Sequence, residues 1–170
     1  MSLYDEIVPP ALKYLDNVDA WLDAGVAHAK AKNFDFANLL SARMAPDQYP
    51  LLRQITAACD QAKAAAARVA GREPPKHPDT EQTLEEVRVR IQKVREYLKT
   101  FSPADFEGAE ARLVPLAFAP GTVMLATDFV RQLAMPNLYF HMTLAYQILR
   151  ANGVDLGKRN YIGHLDVRKA

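Results

Sequence analysis

Cysteine occurs once in the 170 residues, at Cys59. An intramolecular disulfide and a cysteine-based metal cluster are thereby excluded within one chain, which fits a reducing cytoplasm. Neither sign of charge is in excess: 21 Lys and Arg face 20 Asp and Glu, for a net charge of +1. No whole-molecule field gathers polyanions, so neither nucleic acid nor an acidic membrane is expected as a partner. Histidine is scarce, with four residues, and no two lie four apart as in helical zinc sites. Gly-rich phosphate loops, the G-x-S-x-G elbow and zinc-finger spacings are missing as well. The opening MSLYDEIVPP carries two acids and no base, unlike a secretory or transit signal. The longest stretch without Asp, Glu, Lys or Arg runs from Gln132 to Leu149 and contains Pro136, Asn137, His141, Thr143 and Gln147. It is too polar for lipid and is expected in a protein core.

What the chain does have is apolar content, 49%, enough for the core of one domain over 1–170. Four stretches carry helical periodicity. The first runs from Leu3 to about Lys32 with Ala11, Leu15, Val18, Leu22 and Ala29 on one stripe; Pro9 and Pro10 fall in its first turns or in a kink. Trp21 and His28 flank that stripe as a packed aromatic and a half-exposed histidine. After a connector in which Asp35 caps a short piece from Phe36 to Ala42, Asp47 is expected to cap the second helix, with Pro50 in its first turn. Leu52, Ile55, Cys59, Ala62, Ala66 and Val69 form its seam, its alanines invite a close neighbour, and Gly71 ends it. A stiff loop, REPPKHPD, carries a solvated His77. The third helix starts at Asp79 or Thr80, with Leu84, Val87, Ile91, Val94 and Leu98 inward and a mixed-sign solvent face that includes Arg88, Arg90 and Arg95 in local ion pairs. Residues 111–117 and 122–126 read as a hairpin around Pro120-Gly121. Thr127 or Asp128 caps the fourth helix, Gly153 stops it, and an irregular tail packs back through Leu156, Tyr161 and Ile162. The predicted fold is all-α, a four-helix bundle with a small β-hairpin between helices three and four.

The fourth helix holds the candidate chemistry. Asn137 and His141 share a face with Leu133, Leu144 and Ile148, and polar groups turned into such a face require partners. Helix two offers Gln54, Asp60 and Gln61. Pro136 frees the carbonyl of Gln132 and can widen the bundle into a cavity lined by Tyr139, Phe140 or Tyr146. Cys59 reads as a buried inert thiol. Glu107 and Glu110 read as loop acids, and Lys158 and Arg159 as part of a tail docked by salt bridges or as an anion contact.

The segments RQITAACDQAKAAAARVAG, FEGAEARL, PNLYFHMTLAYQILRANG and GVDLGKRNYIG together resemble a bacterial family of unknown function in the DinB/YfiT-like superfamily, over nearly the whole chain. The resemblance implies a DinB-like four-helix bundle in which three histidines hold a divalent metal such as zinc or nickel, one on helix two and an H-x-x-x-H pair on helix four. On that pattern His141 takes the second place of the pair, Asn137 the first, and Gln54, within the region from Arg53 to Asp60, stands nearest the helix-two position. His141 is the only metal ligand kept, and amides are weak ligands for zinc or nickel. Three arrangements remain open: a metal at His141; a metal-free pocket with His141 as catalytic base and Asn137, Gln54, Arg53, Asp60, Tyr139 and Tyr146 as ligand-binding residues; or a closed hydrogen-bond cluster. The first two suit a small-molecule-binding or transferase-like protein. The third suits a non-enzymatic homodimeric interaction bundle.

Overall fold

Ser2 and Asp5 cap one another's backbone N–H groups and launch α1, Leu3–Lys32, a reciprocal capping box. The computed structural model describes residues 2–168. Pro9 and Pro10 lie in the interior of α1, beyond its first turn, and the helix continues through them. The turn after it, Asn33 to Phe36, is closed by Asp35, whose carboxylate accepts from the Ala37 N–H at 2.9 Å and starts the short α2, Ala37–Ser41.

Helix α3, Leu51–Val69, begins with Pro50 as its N-cap. The expected cap Asp47 is exposed in the preceding loop, because proline already supplies the extended entry that a helix start needs. Past its end, the Gly71 N–H bonds Arg68 O and the Arg72 N–H bonds Ala67 O, and Gly71 sits at φ +74°, the left-handed stop that glycine adopts without strain. Helix α4, Leu84–Leu98, is capped by Thr83 with Glu86 in a second capping box. The start therefore lies three to four residues after the expected one, since Thr83 has its reciprocal partner and Asp79 and Thr80 do not.

Two 3-10 turns, Pro103–Phe106 and Ala109–Ala111, lead into the antiparallel hairpin of β1, Leu113–Pro115, and β2, Val123–Leu125. Leu113 pairs with Leu125, Val114 with Met124 and Pro115 with Val123. Helical structure resumes at once: α5, Ala126–Asp128, a π-turn over Phe129–Ala134, and α6, Met135–Ala151, are continuous. No cap is set by Thr127 or Asp128; the helix starts at Ala126, two to three residues earlier than either cap would start it, directly off the strand. Inside the π-turn the Met135 N–H reaches back to Val130 O. Pro136 follows immediately, and its missing N–H is accommodated along the helix by this inserted residue. Gly153, at φ +86°, ends α6. The tail is mostly irregular, as expected, apart from one short helix, α7, Lys158–Ile162.

Helix α3 makes its most extensive contact with α6 and then with α4 and α1. Ala58, Ala62, Ala65 and Ala66 are fully or almost fully buried, so small side chains let the neighbouring backbones approach. Leu15, Leu22, Leu51, Ile55, Ile91, Leu98, Leu138 and Met142 fill one continuous core. Arg88 reaches Asp23 at 2.6 Å and Arg95 reaches Asp19 at 2.5 Å, so these arginines are ion-paired as expected, but across to α1 and not locally along α4. The tail is fastened by stacking and hydrogen bonds: Tyr161 lies parallel to Trp21 with centroids 5.8 Å apart, and the Trp21 indole N–H donates to Asn160 O at 3.0 Å. Lys158 and Arg159 are exposed and take part in none of the ion pairs among the described residues, which leaves the docking to these contacts. No helix of the described residues is long and apolar enough to cross a membrane.

Candidate functional site

His141 projects from α6 toward α3 and retains 9% of its exposure. Its Nδ1 lies 2.8 Å from the side-chain oxygen of Gln54, itself 2% exposed. The Gln54 amide nitrogen donates to the carbonyl of Tyr49 at 3.1 Å. Since a carbonyl only accepts, the carboxamide cannot be reversed, and Oε1 is the atom offered to the imidazole. Nδ1 therefore carries the proton. Burial, then the charge of Arg53, holds the imidazole below the usual histidine range, so the ring is neutral near pH 7 and Nε2 is left with its lone pair.

That lone pair is the chemically interesting atom. Nε2 has no hydrogen-bond partner among the described residues, yet it is not sealed: the enclosed and unpaired side-chain atoms belong to Gln48, Glu81, Arg90 and Arg95. The ring of Tyr49 runs parallel to the imidazole with centroids 6.5 Å apart, and Phe140 meets it edge-on at 5.3 Å. Both aromatics are about half exposed, at 52% and 54%. The Arg53 guanidinium sits 5.5 Å from the Tyr49 ring centroid, pairs with Asp79 and donates to Thr56 Oγ1 at 3.2 Å. The arrangement is an oriented, neutral, proton-accepting nitrogen at the floor of an aromatic-flanked surface.

The other candidates separate from it. Asn137, one turn before His141, is half-buried and makes no side-chain hydrogen bond among the described residues; the carboxamide that meets the imidazole is that of Gln54. Tyr139 faces α1, 5.3 Å from Tyr14, and lines a crevice of about 750 Å³ with Pro9, Pro10 and Tyr14. Tyr146 is buried against Trp21. Residues two and five positions from His141 project away from its side of the helix at about 100° per residue. The cavity expected from Pro136 is not formed at His141, which lines none of the four hollows that stand out on the surface; the π-turn takes up the proline's defect along the helix axis.

Asp60 belongs to a different constellation. Arg90 is 3% exposed and donates to Asp60 at 3.0 Å, Glu81 at 3.1 Å and Pro78 O at 3.3 Å. Lys63, 6% exposed, reaches Asp60 at 2.7 Å and His77 Nδ1 at 3.0 Å. Arg90 is thus not on the solvent face expected for it, and His77 is half-buried, where burial and Lys63 push its pKa down. The sequence signal for Arg90 was its place three residues after Val87 and four before Val94, on the rim of the seam. Tyr49 carried no such signal. Cys59 is fully buried and its thiol is pushed up to about 12, while Glu107 and Glu110 are exposed.

A family model described as a domain of unknown function, DUF1993, matches residues 3–162. The chain belongs to the DUF1993 family. None of the curated proteins matches. Among solved structures, a DinB family member protein from Shewanella denitrificans shares 42% identity, with a TM-score of 0.95, over 99% of this chain and 96% of that one. The DUF1993 chain is thus DinB-like in fold, a mostly helical bundle with one two-stranded sheet. The resident metal implied by the wider superfamily meets a donor set that does not fit it. His141 has one free nitrogen, Gln54 is committed at both ends of its amide, and no group of three or more His, Cys, Asp or Glu among the described residues converges. A stable zinc or nickel site takes three or more such donors.

Proposed function

We propose that this DUF1993 protein is a single-domain, metal-free small-molecule-binding bundle with transferase-like chemistry, in which His141 acts as general base. One observation carries the reading: the Tyr49–Gln54–His141 relay fixes the Nδ1–H tautomer and leaves Nε2 unprotonated and reachable. A general base needs a free lone pair in an orientation set by a second group, and a pKa at or below working pH. All three hold at His141. In the reaction, Nε2 takes the proton from a ligand thiol or hydroxyl, and the resulting imidazolium shares its Nδ1–H with Gln54. Tyr49 and Phe140 offer apolar flanks, and Arg53 a nearby cation; Asn137 is available for a hydrogen bond one turn away. A buried thiol at Cys59 is consistent with a cytoplasmic setting.

The test has two arms. Long-range nitrogen NMR on His141 is expected to report a protonated Nδ1 and an unprotonated Nε2. Thermal-shift screening is expected to find small polar ligands that raise the melting temperature of the native chain and not of His141→Ala. Elemental analysis of untagged protein purified without chelator is expected to give no stoichiometric metal; zinc, nickel or iron at one per chain overturns the metal-free reading, and a protonated Nε2 overturns the role of His141.

A further inference from the structure

We propose that the hairpin is a homotypic docking edge, in which β2 pairs antiparallel with β2 of a second copy about a twofold axis at Met124. The hydrogen-bond parity of the ribbon is set at its two ends, where the Leu116 N–H bonds Thr122 O at 3.1 Å and the Ala126 N–H bonds Arg112 O at 2.9 Å. In the observed register Val114 and Met124 are then the hydrogen-bonded pair, and Leu113–Leu125 and Pro115–Val123 are non-bonded pairs. The backbone N–H and C=O groups of Val123 and Leu125 consequently point away from β1, and they find no other partner among the described residues.

The two edges of the ribbon differ in a way that selects the occupant. On β1 the outward row is interrupted by Pro115, which has no N–H, a common device for blocking strand addition. On β2 neither proline nor charge guards the row. No Asp, Glu, Lys or Arg occurs anywhere from Leu113 to Thr127, so two copies meeting there bring no like charges together. Val114 is buried against the bundle and anchors the ribbon, while Leu113, Val123 and Leu125 remain 58%, 51% and 45% exposed, and Phe118 in the loop 73%. An uncharged edge offers nothing to attract a partner of opposite sign, and it is complementary to itself.

Pairing centred on Met124 sets Val123 of one copy against Leu125 of the other, twice by symmetry, and each pair exchanges both of its outward backbone bonds. The product is a four-stranded sheet in the order β1, β2, β2 and β1. Its apolar outer face becomes continuous, from Leu113 through Leu125 and Val123 to the same residues of the second copy. Its two new outer strands are both β1, guarded by Pro115, so growth stops at the dimer and does not continue into a fibre.

The test uses the full chain in sedimentation equilibrium across the micromolar range, together with amide hydrogen exchange. The wild type is expected to dimerise, with Val123 and Leu125 amides protected more strongly as concentration rises. Val123→Pro removes an outward N–H without touching a bond between β1 and β2, and Leu125→Lys places like charges beside the twofold; each is expected to weaken dimerisation by about tenfold or more. Circular dichroism checks that each variant is folded, and the wild-type exchange data stand without either variant. A wild type that stays monomeric overturns the proposal. So does a dimer whose Val123 and Leu125 amides exchange independently of concentration, or one that both folded variants leave unchanged, since the contact then lies elsewhere.

Discussion

Replacing Gln54 by Glu is the sharpest probe of the site, because it keeps the shape of the side chain and turns the neutral acceptor facing His141 into a charged one. In the native protein a neutral oxygen accepts from Nδ1 at 2.8 Å, and the imidazole is held below its ordinary range by burial and by Arg53. A carboxylate in that place attracts the imidazolium by about 4 kcal/mol at 4 Å and an effective dielectric near 20. The cost of burying the new charge, and its competing attraction to Arg53, take back part of this, leaving about 1.5 to 3 kcal/mol. At 1.36 kcal/mol per factor of ten, the proton affinity of His141 is expected to rise by roughly one to two factors of ten. The change also deprives the Tyr49 carbonyl of its donor, at about 1 to 3 kcal/mol of stability. Proton NMR of the His141 ring during a pH titration reads the first quantity and chemical denaturation the second. A titration midpoint that stays in place or moves down refutes the relay as the element that sets the protonation of His141.

Other outcomes follow from the same geometry. His141 and His77 both have pKa values lowered in the fold, so the unfolded chain binds more protons below about pH 6.5 and stability is expected to fall as pH drops through that value; His141→Gln and His77→Gln should each flatten part of this slope in denaturant titrations at several pH values. Arg90→Ala leaves Glu81 without its buried counter-charge while Asp60 keeps Lys63, and is expected to cost about 1 to 3 kcal/mol, read as a melting temperature lower by about 2 to 12 °C; a loss under about 0.5 kcal/mol would show that Glu81 finds another partner. Cys59, with its thiol pushed up to about 12, should resist iodoacetamide at pH 8 in the native state and react fully in denaturant. Labelling at the rate of a free thiol in the native protein contradicts its burial.

The four long helices were legible because their seams repeat at three- and four-residue steps and their ends carry strong punctuation, Gly71 and Gly153 above all. The hairpin was legible from Pro120-Gly121 between two β-branched and apolar runs. Caps were less so: Asp47 and Asp79 are good cap residues by type, but Pro50 and Thr83 hold the positions, and only Glu86 three residues on from Thr83 distinguished the latter. The π-turn left no mark beyond Pro136, because a one-residue insertion changes phase without changing composition. At the site, periodicity alone left Gln54, Asp60 and Gln61 as helix-two partners for His141, and it was the family resemblance that put Gln54 nearest. Arg90 draws Asp60 away, and Tyr49 engages Gln54 from outside either helix, so the choice among them depended on residues that periodicity does not report.

The extra residue in the turn Phe129–Ala134 has a consequence for insertions and deletions. An ordinary helix spanning 126–151 would transmit the loss of one residue as a rotation of about 100° in everything on one side. Here a deletion within 129–134 can be absorbed by relaxing the wide turn to a standard one, with His141 still facing Gln54 at the expense of the turn that accommodates Pro136, whereas the same deletion between 138 and 140 would swing the imidazole off its acceptor. Length variation in this protein should therefore be tolerated upstream of Pro136 and punished downstream of it.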